Sequence, residues 1–169
     1  MTFEIGEKVV YPNQGVGTIE NISARSFGAQ FEKFYLLRLV YSSMTVMVPF
    51  SNVGNVGLRR VTKATEINKV LGFLSSGDCE VCPDWKCRFK INSEKMQSGN
   101  LTQVAEVLKC LLIVQSDKPL SFREKKMLDR ARHMVLSEIS IAKSFSESDA
   151  LGTLQKALAK ASLTLPSAA

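Results

Sequence analysis

Residues 8–19 read Lys8-Val9-Val10-Tyr11-Pro12-Asn13-Gln14-Gly15-Val16-Gly17-Thr18-Ile19. Two β-branched residues and an aromatic, then Pro-Asn-Gln-Gly, then a second β-branched run, spell a strand, a tight turn and a returning strand. Strands are therefore predicted over Lys8 to Tyr11 and Gly15 to Ile22. Working outward, Phe34 to Tyr41 and Met44 to Pro49 read as two more, with turn signals at Phe27-Gly28 and Ser42-Ser43. Residues 1–57 hold six of the ten glycines, all three tyrosines and five of the nine phenylalanines, the bias of short strands and tight turns. A sheet this small must curl to enclose a core, so residues 1–61 are expected to form a small Tudor- or SH3-like curled antiparallel β-sheet.

Beyond Arg60 the hydrophobic period changes to that of helices. Ile67, Val70, Leu71 and Leu74 mark a short helix over Thr65 to Ser75. Asp84, after Pro83, is the expected N-cap of a second helix ending at Gly99, and Asn100 with Gln103 caps a third. Ser121-Phe122-Arg123-Glu124 is a capping box for the longest helix, running to about Phe145 with its apolar stripe at Leu128, Ala131, Val135, Ile139 and Ala142. Ser146 with Asp149 opens a fifth that fades near Ala161. Residues 62–162 are thus expected to be a five-helix all-α bundle, and 163–169 a flexible tail.

The chain has 169 residues, 45% hydrophobic and 22% charged, which suits a folded chain of one large or two small domains. The longest apolar run, Cys110 to Val114, is far shorter than a membrane helix requires. Residues 1–7 are acidic and lead into no apolar stretch, so a cytoplasmic protein without a signal peptide is expected, with its cysteines as thiols. The net charge is +6, and the segment from Lys86 to Arg132 alone carries eleven basic and five acidic residues. That concentration points to a polyanionic partner, nucleic acid rather than membrane, because no strongly apolar face accompanies it.

Arg123, Lys125 and Lys126 occupy the first turns of the longest helix, where the helix dipole disfavours cations by up to about 1 kcal/mol each. Lys126 and Arg130 extend the stripe, and Arg132 flanks it. Phosphates at the helix start would reconcile the pattern; a solvated face partnered by Glu124 and Asp129 is the alternative. Trp85, the only tryptophan, stands at the expected first position of the second helix, followed by Lys86, Arg88 and Lys90. An exposed aromatic beside cations wedges into a groove or stacks on a base, whereas a buried one is a core or staple residue. In the fourth strand Met47 falls on the outward face, beside Pro49, which tends to mark a sheet edge; it reads either as a docking surface or as an ordinary surface methionine.

Cys79-x-x-Cys82, with Cys87 and Cys110, offers four thiols for a metal or a redox pair, but zinc sites usually join two short-spaced motifs and Cys110 has no companion. No metal and no cofactor is therefore expected. One histidine, His133, and the absence of any HExxH, GxSxG or P-loop pattern leave no enzyme reading to defend.

These residues resemble the CarD/CdnL family of bacterial transcription regulators, whose N-terminal part is similar to the polymerase-interacting module of transcription-repair coupling factor. The likeness rests on Gly6, Val9-Val10-Tyr11-Pro12, Gly15, Thr45-Val46 with Val48-Pro49, and Val56-Gly57-Leu58-Arg59. It continues through Trp85, Arg88-Phe89-Lys90, Glu94-Lys95, Ser98-Gly99, Val104-Ala105-Glu106-Val107 and Leu120-Ser121 with Glu124-Lys125-Lys126-Met127-Leu128. The resemblance implies a monomer that binds the β subunit of RNA polymerase through its Tudor-like part and contacts promoter DNA at the upstream edge of the melted bubble, stabilising the open complex. It implies polymerase contacts at Arg25 and along Thr45, Val46, Met47, Val48 and Pro49. It also implies a minor-groove wedge at Trp85 and backbone contacts at Arg88, Lys90 and Lys125, to which the basic pattern adds Lys86, Arg123, Lys126, Arg130 and Arg132. Met47 stands where the family commonly has arginine, and Cys87 where it often has a basic residue. The rival expectations are a Tudor-like binding module with no polymerase role and a thiol-based metal or redox sensor.

Overall fold

In the computed structural model, which describes residues 2–76 and 79–166, the chain divides into two units, Met1–Val61 and Thr62–Ala169. In the first, β1 (Lys8–Tyr11), β2 (Gly15–Phe27), β3 (Gln30–Leu39), β4 (Thr45–Pro49) and β5 (Arg59–Arg60) form one antiparallel sheet in the order β4-β3-β2-β1-β5. The β1–β2 turn depends on two residues at positive φ, Asn13 (67°) and Gly15 (94°), types that tolerate the left-handed region. A register shift between Ile19 and Asn21 bends β2 across the core. At Gly17 an added Cβ would meet Leu37 Cδ1 at 2.7 Å, so only glycine allows β2 and β3 to approach there.

The sheet closes on Phe3, Val9, Ile19, Tyr35, Leu37, Leu39, Val48, Val53 and Leu58. Tyr35 is its centre: its ring stacks on Phe50 at 4.2 Å, meets Phe3 edge-on at 5.5 Å, and its hydroxyl accepts from Phe3 N–H at 3.0 Å. The polar tip of a buried aromatic is thereby satisfied. β2 and β3 run further than the apolar alternation reaches. Their outer ladder, with Arg25 opposite Glu32 and Ser26 opposite Phe31, has largely exposed side chains and is held by backbone pairing. A two-residue strand, β5, and a single helical turn, α1 (Val53–Val56), complete the unit.

The second unit holds α2 (Ala64–Ser76), α3 (Trp85–Gln97), α4 (Leu101–Asp117), α5 (Phe122–Lys143) and α6 (Glu147–Lys160). Among the described residues there are therefore six α-helices rather than five, the additional one being α1, too short to leave a periodic signal. Asp84, Asn100, Ser121 and Ser146 each cap a helix by accepting from a backbone N–H two or three residues on. α4 ends where Lys118, extended ahead of Pro119, can no longer be helical. α4 packs on α5, α3 and α2, with Val107, Leu108 and Leu111 fully buried in the shared core; each such leucine contributes about 1.5–3 kcal/mol. Leu163 and Leu165, expected in a flexible tail, instead pack on this core, Leu163 N–H donating to Leu158 O at 3.0 Å. The rest of that tail, 167–169, lies outside the described residues.

Candidate nucleic-acid interface

α3 carries almost no apolar face: its buried residues are Asn92 and Met96. Polar contacts dock it instead. Arg88 Nε and Nη2 each donate at 2.8 Å to one oxygen of Glu124 on α5, and Nη1 donates to Cys82 O at 3.2 Å. The two side chains are 11% and 2% exposed, so the fork is shielded from water. The Glu124 carboxylate, first of all, raises the Arg88 pKa above its ordinary value, against the opposing pull of desolvation. Glu124 N–H donates to Ser121 Oγ at 3.2 Å, so the cap of α5 and the anchor of α3 are one network. A second pair, Lys95 to Glu106 at 2.9 Å, ties α3 to α4.

The consequence is a rigid platform at the starts of α3 and α5. Trp85, first residue of α3, is 53% exposed, with Lys86 Nζ 5.8 Å from its ring centre. Lys90 is exposed beyond it. From α5, the Arg123 guanidinium reaches over the Phe89 ring of α3 at 6.0 Å, and Lys125, Lys126 and Arg130 are exposed. The core or staple role for Trp85 is thus set aside, because Met96 and half-buried Phe89 serve α3 without it.

Two expected DNA contacts are placed differently. Arg88 has its guanidinium committed to Glu124 and Cys82, and Arg132 is 8% exposed within α5; neither presents a charge to an outside phosphate. Sequence reasoning also passed over Phe122, the most exposed large apolar side chain among the described residues at 72%, with Lys126 Nζ 4.6 Å from its ring centre. The signal was available: at 100° per residue Phe122 points away from the stripe of Leu128, Ala131 and Val135.

In the first unit β4 is an edge strand, paired on one side to β3 with Leu36 opposite Met47. Thr45 and Met47 face outward, Met47 37% exposed, while Val46 and Pro49 are half-buried. Val48, at 1%, is a core residue, so its side chain cannot meet a partner and only its backbone lies on the edge. Arg25 is exposed on the outer β2–β3 ladder.

The four cysteines are free thiols, and among the described residues no three His, Cys, Asp or Glu side chains are grouped to hold a metal ion. No described helix is long and apolar enough to cross a membrane.

Comparison with known proteins follows the same division of the chain. Residues 3–62 match the CarD-like/TRCF RID domain, and residues 69–155 match the CarD C-terminal domain. The chain is 34% identical over 145 residues to the "putative transcription factor YdeB" of Bacillus subtilis (strain 168), covering 86% of this chain and 95% of that protein. The solved CdnLNt from Myxococcus xanthus is 41% identical, covering 36% of this chain and 86% of its own, with a TM-score of 0.31. The N-terminal domain of Myxococcus xanthus CarD is 34% identical, covering 35% of this chain and 79% of its own, also with a TM-score of 0.31. Two domain matches in the order of the two structural units, with a relative matched along nearly its whole length, identify the chain as a member of the CarD family.

Proposed function

We propose that this protein regulates transcription initiation by binding the β subunit of RNA polymerase with its N-terminal sheet and promoter DNA with its helical unit, stabilising the open complex. The observation that carries the reading is the exposed Trp85 on a platform locked by Arg88 and Glu124, with Lys86, Lys90, Arg123, Lys125 and Lys126 exposed on the same first turns of α3 and α5. An aromatic held rigidly at a helix start can enter a widened minor groove while surrounding cations hold phosphates. Contacts of this kind read groove shape and deformability, so little sequence specificity is expected. The free edge of β4, with Thr45, Met47 and Pro49, and exposed Arg25 offer the polymerase surface, the strand edge by main-chain pairing.

Tethering by the polymerase gives a weak DNA-binding unit a high effective concentration at the bubble. The protein then shifts the opening equilibrium by its differential affinity for melted over closed promoter, and by no more. It acts in this scheme as a monomer without catalysis. Permanganate reactivity of promoter thymines with the cognate polymerase tests the reading. Wild type should enhance bubble reactivity and Trp85→Ala should lose the enhancement; no enhancement by wild type with active polymerase would overturn it.

A further inference from the structure

The C-x-x-C spacing pairs Cys79 with Cys82, but the fold pairs the thiols otherwise. Cys79, in the segment leading to α3, is set against α4, the helix that carries Cys110. Two sulfur contacts place the thiols at the α3–α4 junction. Cys79 Sγ donates to Glu106 O at 3.8 Å, and Glu106 lies one helical turn before Cys110 on α4. Buried Asn92 of α3 turns its amide Nδ2 to Cys110 Sγ, also at 3.8 Å. Cys79 is half-buried and Cys110 buried, so Cys79 is the more accessible of the two.

We infer that Cys79 and Cys110 form a redox-active dithiol that closes to a disulfide between α4 and the segment entering α3. Hydrogen bonding from Cys79, then from Asn92, with Arg88 and Lys95 nearby, brings the Cys110 thiol down to about 7 against the opposing effect of burial. The donor, Cys79, is correspondingly raised. About half of the Cys110 thiol is therefore ionised at neutral pH, while Cys79 stays protonated, and the thiolate is the form that peroxide oxidises. The co-reactant is a hydroperoxide. The thiolate sulfur attacks one peroxide oxygen, the O–O bond breaks, and a sulfenic acid and hydroxide result. The second thiol then attacks the sulfenic sulfur, forming the S–S bond, its proton leaving with the sulfenic hydroxyl as water, while hydroxide takes up the proton that the first thiol released on ionising. Two thiols are oxidised and one peroxide is reduced to two waters.

The ring closed by this bond contains all of α3, including Trp85, Arg88 and Lys90. Oxidation would tie the approach to α3 onto α4 and change the freedom of the Trp85 platform. Closure of the disulfide is independent of whether that platform binds DNA.

The test uses the full reduced chain treated with hydrogen peroxide, followed by alkylation, intact mass and peptide mapping. Wild type and Cys82→Ser/Cys87→Ser should each yield a peptide linking Cys79 to Cys110, and the double variant should lose roughly 2 Da. The linkage should form several-fold faster at pH 8 than at pH 6, and the reductant dithiothreitol should reverse it. Adding the half-buried Cys79→Ser to the double variant should abolish the mass loss, which guards against misfolding of a Cys110 variant. Mapping that finds only Cys79–Cys82 or Cys82–Cys87 bonds, only links between chains, or no disulfide at all would overturn the inference.

Discussion

Arg88 and Glu124, 36 residues apart, meet through two 2.8 Å bonds that join the first turn of α3 to the first turn of α5. α3 has too little apolar surface to dock unaided, so this fork determines where Trp85 stands. It also explains why Glu124 is nearly inaccessible at 2% exposure although it occupies an N-terminal turn, where an acidic residue is otherwise favoured by the helix dipole alone.

Removing one partner of a buried pair strands the other charge. Arg88→Leu is expected to destabilise the helical unit by about 3–5 kcal/mol, and Arg88→Leu/Glu124→Leu to recover most of that stability. Urea unfolding of the full chain followed by the helical far-ultraviolet signal provides the measurement. Equal stability of Arg88→Leu and wild type would show that the fork does not anchor α3.

Trp85→Ala and Phe122→Ala remove exposed side chains, so each should change stability by no more than about 0.5 kcal/mol. Trp85→Ala should shorten open-complex lifetime roughly tenfold, given that aromatic stacking contributes about 1–3 kcal/mol per base. Phe122→Ala should have a smaller effect in the same direction. Competitor-challenge decay of preformed open complexes measures both.

Lys90, Lys125 and Lys126 are exposed or lie at the surface, whereas Arg132 is buried. Alanine at each lysine should lower DNA affinity and reduce the slope of log affinity against log salt by about 1 for every phosphate that is no longer neutralised. Arg132→Ala should leave the slope unchanged and lower stability instead. Salt titrations of binding to a forked promoter duplex separate the two classes.

At the sheet edge, Met47→Glu places a charge on the outward face of β4 and should weaken binding to the polymerase β subunit about tenfold or more. Arg25→Ala should do the same. It is preferable to Arg25→Glu, which would set two acids opposite each other at Glu32 and cost up to about 1 kcal/mol of sheet stability. DNA affinity of both variants should match wild type.

Glu7 accepts from Glu4 N–H at 2.9 Å and Arg60 Nε at 2.7 Å, and these interactions with Glu4 and then Arg60 lower its pKa below 4.5. A carboxylate with a lowered folded pKa stabilises fully above its unfolded value and loses that contribution as pH falls through the folded one. Glu7→Gln should therefore melt below wild type at pH 7 and converge with it in acid. Thermal melts at both pH values decide this.

The sequence by itself determined the order of a small β unit and a helical unit. It also determined the caps of the four long helices from α3 onward, because strand alternation and capping residues act over a few positions and leave local patterns. Asp84, Asn100, Ser121 and Ser146 each cap where their side chains predict. The outer β2–β3 ladder, β5 and α1 left no such trace: backbone pairing or a single turn forms them without an apolar period. The candidate interface was legible as a basic stretch around one tryptophan, but which residues of that stretch face outward was not. Arg88, Arg132 and Lys125 are alike in sequence, and only long-range packing decides that Arg88 closes on Glu124, that Arg132 is buried, and that Lys125 remains in solvent. The approach of Cys79 to α4, the helix of Cys110, was likewise decided by packing, since positions 31 apart in sequence come together only once α4 lies against the segment entering α3.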